Sequence, residues 1–118
     1  MKIAIPIEEN KEAVCVSFGR APYFLIHDTD TKTSEIKVNP AAEAEGGAGL
    51  KAAQFVVDAG ADALITVRCG QNAADVLMAA GVNIYTALST YAHENLKAMA
   101  EGKLGELTSF HAGFHGKS

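Results

Sequence analysis

Tryptophan is absent from this chain of 118 residues, and cysteine and proline are scarce, with two and three residues respectively. The two cysteines, Cys15 and Cys69, cannot form the disulfide framework of a small secreted domain and suit a reducing compartment, so we expect a cytoplasmic protein. No apolar run approaches the roughly 20 residues of a membrane-spanning helix. The apolar start of the chain ends at Glu8 and is too short for a secretory leader, so we expect no membrane partner.

Positive charge is also in short supply. The chain carries 10 lysine and arginine residues against 14 aspartate and glutamate residues, which gives a formal net charge of -4. Because nucleic-acid binders usually present a basic face, this balance argues against a nucleic-acid partner. The hydrophobic content of 48% is enough for an ordinary core. We predict a single domain over residues 1–108 and a flexible tail that contains glycine and histidine over residues 109–118.

Short apolar runs predict five strands, at residues 2–7, 23–27, 34–38, 63–67 and 84–88. Between and after the last three strands, apolar residues recur at helical spacing. The first helix lies near residues 50–57 and ends at Gly60, and the second is capped by Asn72 and ends at Gly81. The third starts near Ser89 or Thr90, and its apolar face carries Leu96, Met99, Ala100, Leu104 and Leu107.

This order of elements predicts an α/β fold built on one mixed five-stranded sheet. Strands joined by hairpins run antiparallel and strands joined through helices run parallel, with right-handed crossovers. The resulting strand order is 3-2-1-4-5, with helices on both faces. The loops that follow strands one, three, four and five then gather at one edge of the sheet. Ligands of open α/β sheets usually bind at such a carboxyl edge, so we place the candidate site there.

The first candidate segment consists of Ser17, Phe18, Gly19 and Arg20, directly before the second strand. A loop of this kind presents backbone amides and a cation at the edge of a sheet. A small anion responds to the nearby field rather than to the net charge of the chain. The segment therefore predicts an anion-binding loop.

The second candidate segment is the glycine-rich run at residues 46–49, in which Gly47 and Gly49 precede a helix. Its amides and the helix dipole could hold an anion, with Lys51 nearby. The alternative is that the glycines only allow a tight helix start. A nucleotide-binding loop is not indicated, because the lysine and hydroxyl residues of a Walker motif do not follow the glycines.

The third candidate segment is Arg68, Cys69 and Gly70, between a buried strand and a helix. A thiolate at a helix N-terminus would be stabilised, so Cys69 is a candidate metal ligand. Cys15 lies in a loop at the same edge, and its sulfur could approach that of Cys69. Two thiols cannot complete a four-coordinate structural zinc site, and the alternative is that both are reduced cysteines with no ligand role.

His111 and His115 are spaced so that one helical turn could bring them to one metal, although Gly113 between them disfavours a stable helix. The alternative is a mobile tail with no metal. The chain has no nucleophile elbow with a Ser/His/Asp pattern, and its strands carry no carboxylates placed for two-metal hydrolysis. An enzyme is therefore not indicated.

The chain resembles the dinitrogenase iron-molybdenum cofactor biosynthesis family of small cluster-carrier proteins, which includes the orange proteins. The resemblance covers about residues 1–108. It rests on four segments, KIAIP at residues 2–6, FGRAPYF at 18–24, NPA at 39–41 leading into GGAG at 46–49, and Gly70 with Asn72-Ala73 before Ala80-Gly81. It implies a ribonuclease H-like fold without nuclease activity, binding of a molybdenum- or iron-containing sulfide cluster, and the company of P-loop ATPases. Family members often have a histidine before Phe-Gly, where this chain has Ser17, and Cys15 could substitute as a sulfur ligand.

The physical features and the resemblance agree on one function. We expect non-enzymatic binding, storage or delivery of an anionic sulfide cluster, either of the Mo-Cu-S or Fe-Mo-S type or an iron-sulfur cluster. The alternatives are a regulatory adaptor that docks on a P-loop ATPase and, third, an enzyme for a phosphorylated small molecule. The expected partners are the cluster and a protein that accepts it. The expected cluster-binding residues are Ser17, Phe18, Gly19, Arg20, Gly47, Gly49, Arg68, Cys69 and Gly70, with Cys15, Cys69, His111 and His115 as candidate metal ligands.

Overall fold

The computed structural model of the chain describes residues 1–111. It contains five strands and three helices. The strands are β1 (Lys2–Ile7), β2 (Tyr23–Asp28), β3 (Thr33–Val38), β4 (Ala63–Thr66) and β5 (Asn83–Thr86). The helices are α1 (Ala48–Asp58), α2 (Gln71–Ala79) and α3 (Ala92–Ala100).

The strands form one sheet in the order β3-β2-β1-β4-β5, which confirms the predicted order. β1 pairs antiparallel with β2, and β2 pairs antiparallel with β3. β1 pairs parallel with β4, where Ile3 lies opposite Ala63, and β4 pairs parallel with β5. The mixed α/β fold is therefore confirmed, and the ribonuclease H-like label stays a prediction.

Each face of the sheet is covered by helices, because the buried strands are apolar on both sides. On β1, Ala4 packs in the cluster formed with α1 and α2, whereas Ile3 and Ile5 pack in the cluster formed with α3. Side chains of a strand alternate between faces, so one short strand contributes to both clusters. The arrangement leaves the carboxyl ends of β1, β4 and β5 at one edge.

Two helix boundaries differ from the sequence-based expectation. Asn72 does not cap α2, because the helix begins at Gln71 and Gly70 occupies the cap position. α3 ends at Ala100, and Gly102 follows with a φ of 73°. A left-handed residue of this kind ends a helix, so Leu104 and Leu107 are not part of α3. Their spacing from the apolar residues of α3 matches a helical repeat, which explains why the sequence placed them in that helix.

Residues 104–111, which we call the C-terminal strap, run antiparallel beside the edge strand β5 and end at the start of α2. The Leu107 N–H donates to the Ile84 carbonyl, and the Thr86 N–H donates to the Gly105 carbonyl, each at 2.9 Å. These contacts continue past residue 108, where the sequence predicts the end of the domain, as far as His111. The rest of the predicted tail, with His115, lies outside the described residues.

Candidate functional site

A cavity of about 590 Å³ opens at the carboxyl edge of the sheet. The three candidate segments all contribute to its wall, because each follows or precedes a strand whose end lies at this edge. The expected cluster-binding residues that line it are Ser17, Phe18, Gly19, Arg20, Gly47, Gly49, Arg68, Cys69 and Gly70. His111 of the C-terminal strap lines it as well. The fold thus brings residues from both ends of the described chain to one wall.

The first loop lies directly on the start of α1. A Cβ atom on Gly19 would be only 3.0 Å from the backbone nitrogen of Gly49 and 3.2 Å from the carbonyl carbon of Ala48. Most real Cβ contacts are longer than this, so the backbone of α1 would have to shift by a few tenths of an ångström to admit a side chain. Glycine at position 19 therefore allows the first two segments to meet.

The side chain of Asn39 holds the loop before β2 in place, a role that was not predicted from the sequence. The side chain is buried, and its amide nitrogen donates to the carbonyls of Gly19 at 3.1 Å and Ala21 at 2.9 Å. Its amide oxygen accepts from the N–H of Ala41 at 2.9 Å. Asn39 thereby ties the loop before β2 to the loop after β3. The signal in the sequence was an asparagine before Pro40, a common pair in turns.

Arg20 is largely committed to the protein itself. Its guanidinium Nη1 donates to the Ala44 carbonyl at 2.6 Å and reaches the Ala42 carbonyl at 3.4 Å. The sequence suggested a cation aimed at a ligand. The observed contacts instead make Arg20 a brace between two loops, although its charge still lies in the cavity wall.

The glycine-rich segment produces an uncapped helix start. Gly47 is the N-cap of α1, with a φ of 67° that favours glycine, and no side chain caps the helix. Within residues 1–111, the amides of Ala48, Gly49 and Leu50 donate to no backbone or side-chain acceptor. The first turn also lacks an acidic residue. Such a helix end carries partial positive charge and free donors.

A second uncapped helix start faces the same cavity. α2 begins after Gly70, with no side-chain cap and no acidic residue in its first turn. Asn72 and Ala73, from that first turn, line the cavity. Arg68 is exposed beside them, and its guanidinium has no hydrogen-bond or ion-pair partner in the described part of the chain. Glu45 is the acidic residue in the wall.

Cys69 is a neutral thiol at the cavity wall. It is 1% exposed, and burial raises the pKa of its thiol to about 12. The sequence suggested a stabilised thiolate near a helix N-terminus. Burial acts in the opposite direction, because it removes a thiolate from water and so favours the protonated thiol.

Cys15 lies away from the cavity lining. It is buried, and burial raises the pKa of its thiol, with the nearby Glu8 carboxylate acting in the same direction and the Ser17 backbone opposing it. Both cysteines are free thiols. Residues 1–111 contain no group of three or more His, Cys, Asp or Glu side chains placed to hold a metal ion. Metal ligation by Cys15, Cys69 or His111 therefore stays a prediction.

No helix of the described residues is both long and apolar enough to cross a membrane.

The wall of the cavity is partly aromatic: Phe18 is buried and packs edge-on against Phe24, with ring centroids 5.5 Å apart. The cavity thus combines the amide donors of two helix starts, the guanidinium of Arg68 and an apolar wall. This combination suits an anion that is also in part apolar.

Comparison with known proteins identifies the family. The family model for dinitrogenase iron-molybdenum cofactor proteins matches residues 1–102. The chain belongs to this family. An uncharacterized protein of Methanocaldococcus jannaschii is 34% identical over 107 residues, which are 88% of this chain and 89% of that protein. The resemblance drawn from the sequence motifs is therefore confirmed.

Two solved structures of similar proteins share the fold. The apo form of the orange protein from Desulfovibrio gigas has a TM-score of 0.83 and 28% identity, and the match covers 91% of this chain and 92% of that one. A Thermotoga protein for which a NifB identity has been suggested has a TM-score of 0.77 and 38% identity, with coverage of 92% and 95%. Both matches extend over nearly all of the sheet and helices of this member of the iron-molybdenum cofactor family.

Proposed function

We propose that this protein is a non-enzymatic carrier that binds an anionic molybdenum- or iron-containing sulfide cluster in the cavity at the carboxyl edge of the sheet. The observation that carries the proposal is the meeting of two helix N-termini without side-chain caps, those of α1 and α2, with the guanidinium of Arg68. Each of these groups offers donors and positive potential to one compact anion. Family membership agrees with this class of cargo.

The cysteines favour a cluster that brings its own sulfur ligands. Cys69 is a neutral thiol with a pKa of about 12, and Cys15 does not line the cavity. Burial favours the protonated form of both thiols. A thiometallate already has sulfide around its metal, so it needs only hydrogen-bond donors, positive charge and a dry wall. Phe18 supplies such a wall, and the amides at the start of α1 supply donors.

A protein partner is favoured by exposed apolar side chains at the mouth of the cavity. Val16 is 51% exposed and Leu50 is 45% exposed, and both line the opening. We propose that a cluster-accepting protein docks over them, in the cytoplasm. A P-loop ATPase that uses this surface without cluster transfer is the second candidate. Co-purification with an ATPase that persists in cluster-free protein would favour that second role.

The function can be tested by anaerobic reconstitution of the purified protein. Thiomolybdate with copper is supplied in one arm, and iron with sulfide in the other, followed by gel filtration and metal and sulfide analysis. We expect one of the two mixtures to give a stoichiometric absorption band that stays with the protein. Added phosphate serves as the control. If the site is built for a phosphorylated ligand, a low concentration of phosphate should displace the coloured cluster from the protein. If neither mixture leaves a protein-bound band, the carrier role is contradicted.

A further inference from the structure

The C-terminal strap ends as part of the cavity wall. The Gln71 N–H donates to the His111 carbonyl at 2.9 Å, and Gly70 forms an isolated parallel bridge with His111. Gln71 is the first residue of α2, so this contact attaches the strap to a helix start that faces the cavity. Phe110, next to it, is partly buried against the core cluster of α1 and α2.

The imidazole of His111 lies beside Gly70, although the residue as a whole is exposed. A Cβ atom on Gly70 would lie 3.3 Å from Cε1 and 3.7 Å from Nε2 of His111. Any larger residue at position 70 would require the ring to move. The ring therefore lies beside the third segment at Gly70, and His111 lines the same cavity as that segment.

The docked strap borders the cavity at His111 without filling it. With His111 in place, the cavity still measures about 590 Å³. The His111 carbonyl uses the amide of Gln71, whereas Asn72 and Ala73 of the same helix start remain in the lining, without a backbone acceptor among residues 1–111. A segment that filled the cavity would occupy those amide donors in place of a ligand. The strap instead has the position of a wall.

Between its backbone hydrogen bonds, part of the strap makes few buried contacts. Thr108 and Ser109 are exposed, and Leu107 is only partly buried. Segments with few buried contacts open at low free-energy cost. A wall that opens easily can admit a ligand and then close on it.

We propose that His111 is a ligand-retaining residue and that the C-terminal strap closes the cavity cooperatively with its anionic ligand. The inference rests on the proposed function, since the ligand is the same sulfide cluster. Docking of the strap places the polar imidazole against the cluster, so each stabilises the other. Because such coupling is reciprocal, ligand must order the strap as much as the strap retains ligand.

Gln71 allows a selective test. Proline is well tolerated at the first position of a helix, and the preceding Gly70 has φ −74° and ψ 156°, a conformation compatible with a following proline. Gln71→Pro therefore removes the N–H that His111 accepts and leaves α2 able to form. Gln71→Ala is the matched control, because it also loses the side-chain hydrogen bond to Asp75 but keeps that N–H.

The measurement is the dissociation rate of protein-bound thiomolybdate with copper, together with amide hydrogen exchange of Leu107 with and without that ligand. Gln71→Pro should release the ligand about three- to tenfold faster than wild type, the factor of one lost hydrogen bond, and Gln71→Ala should match wild type. Ligand should slow exchange at Leu107 in wild type. His111→Ala should release faster as well, with the exposed His93→Ala on α3 as its control.

Three outcomes would overturn the inference. If the proline variant is folded, by its circular dichroism, and retains ligand like wild type, the strap has no retaining role, and the carrier function stands. If the proline variant binds the ligand more tightly than wild type, the strap hinders binding instead of retaining the ligand. If wild-type protein binds no thiomolybdate or iron sulfide at all, the carrier function fails and the inference built on it fails too.

Discussion

Gly19 and Gly49 meet through their backbones alone, because a Cβ atom on Gly19 would stand 3.0 Å from the nitrogen of Gly49. This contact joins the loop before β2 to the uncapped start of α1, and both form the cavity wall. The site thus depends on the absence of a side chain. Its shape is a property of backbone packing more than of any single functional group.

Gly19→Ala should lower the free energy of unfolding by about 1–3 kcal/mol, the usual cost of forcing an extra carbon into a packed site. It should also weaken cluster retention, since the amides at the start of α1 must shift. Gly46→Ala is the matched control, because a Cβ atom added there would meet nothing within 4 Å beyond its chain neighbours. Urea unfolding of the two variants provides the comparison, and equal losses would contradict the close-contact account.

Alanine variants of two buried asparagines can distinguish an effect on stability from an effect on cluster binding. Asn39 holds the carbonyls of Gly19 and Ala21, whereas Asn95 holds the loop near Ser89, which does not line the cavity. Each alanine variant should lose about 1–3 kcal/mol, because buried backbone groups lose their partners. Only Asn39→Ala should also release the reconstituted cluster faster. Equal release by both variants would mean that Asn39 acts through general stability.

The two arginines should have different effects. Arg68→Gln should weaken cluster binding about tenfold or more and flatten its salt dependence, with little change in unfolding, because the guanidinium is exposed and has no partner within residues 1–111. Arg20→Gln should in addition destabilise the fold, since it loses the bond to the Ala44 carbonyl. Lys97→Gln on α3 makes the same charge change outside the cavity lining and serves as control. If Lys97→Gln weakens cluster binding as much as Arg68→Gln does, Arg68 acts only through the net charge of the protein.

Burial of Cys69 predicts a pH dependence of stability. An unfolded chain releases this proton near the ordinary pKa of 9.0, whereas the folded chain keeps it up to a pKa of about 12. The stability from the buried neutral thiol is therefore fully present below pH 9 and declines between pH 9 and 12, by about 1.4 kcal/mol per pH unit. The difference in unfolding free energy between wild type and Cys69→Ala should change with this slope, and taking the difference cancels the titration of tyrosines and lysines. A constant difference would show that Cys69 titrates normally.

The sheet could be predicted from the sequence because its signals are local. Apolar runs such as Lys2–Ile7 define strands, and the lengths of the connections then leave few topologies. Convergence of the three loops followed from strand direction alone. The end of α3 was missed, because Leu104 and Leu107 keep a helical spacing across Gly102 although one packs with α3 and the other on the opposite face of the sheet.

The chemical state of the site could not be read in the same way. The exposed fraction of Cys69 depends on α1 and α2 packing around it, and the bond from Arg20 to the Ala44 carbonyl depends on where a distant loop lies. The position of His111 depends on a strap that pairs with β5 and then reaches Gly70. Each of these is set by tertiary contacts between segments far apart in sequence. Residue type and local spacing carry no signal for them.

We propose that the cavity between the two helix starts holds a sulfide-ligated anion. The most direct measurement is a two-dimensional amide NMR titration of the protein with tetrathiomolybdate. We expect the shifts to concentrate in residues 17–20, 46–50 and 68–73, and the Cys15→Ser/Cys69→Ser variant to give the same pattern. Shifts confined to other surfaces, such as β3 or α3, or a pattern abolished by the cysteine changes, would contradict it.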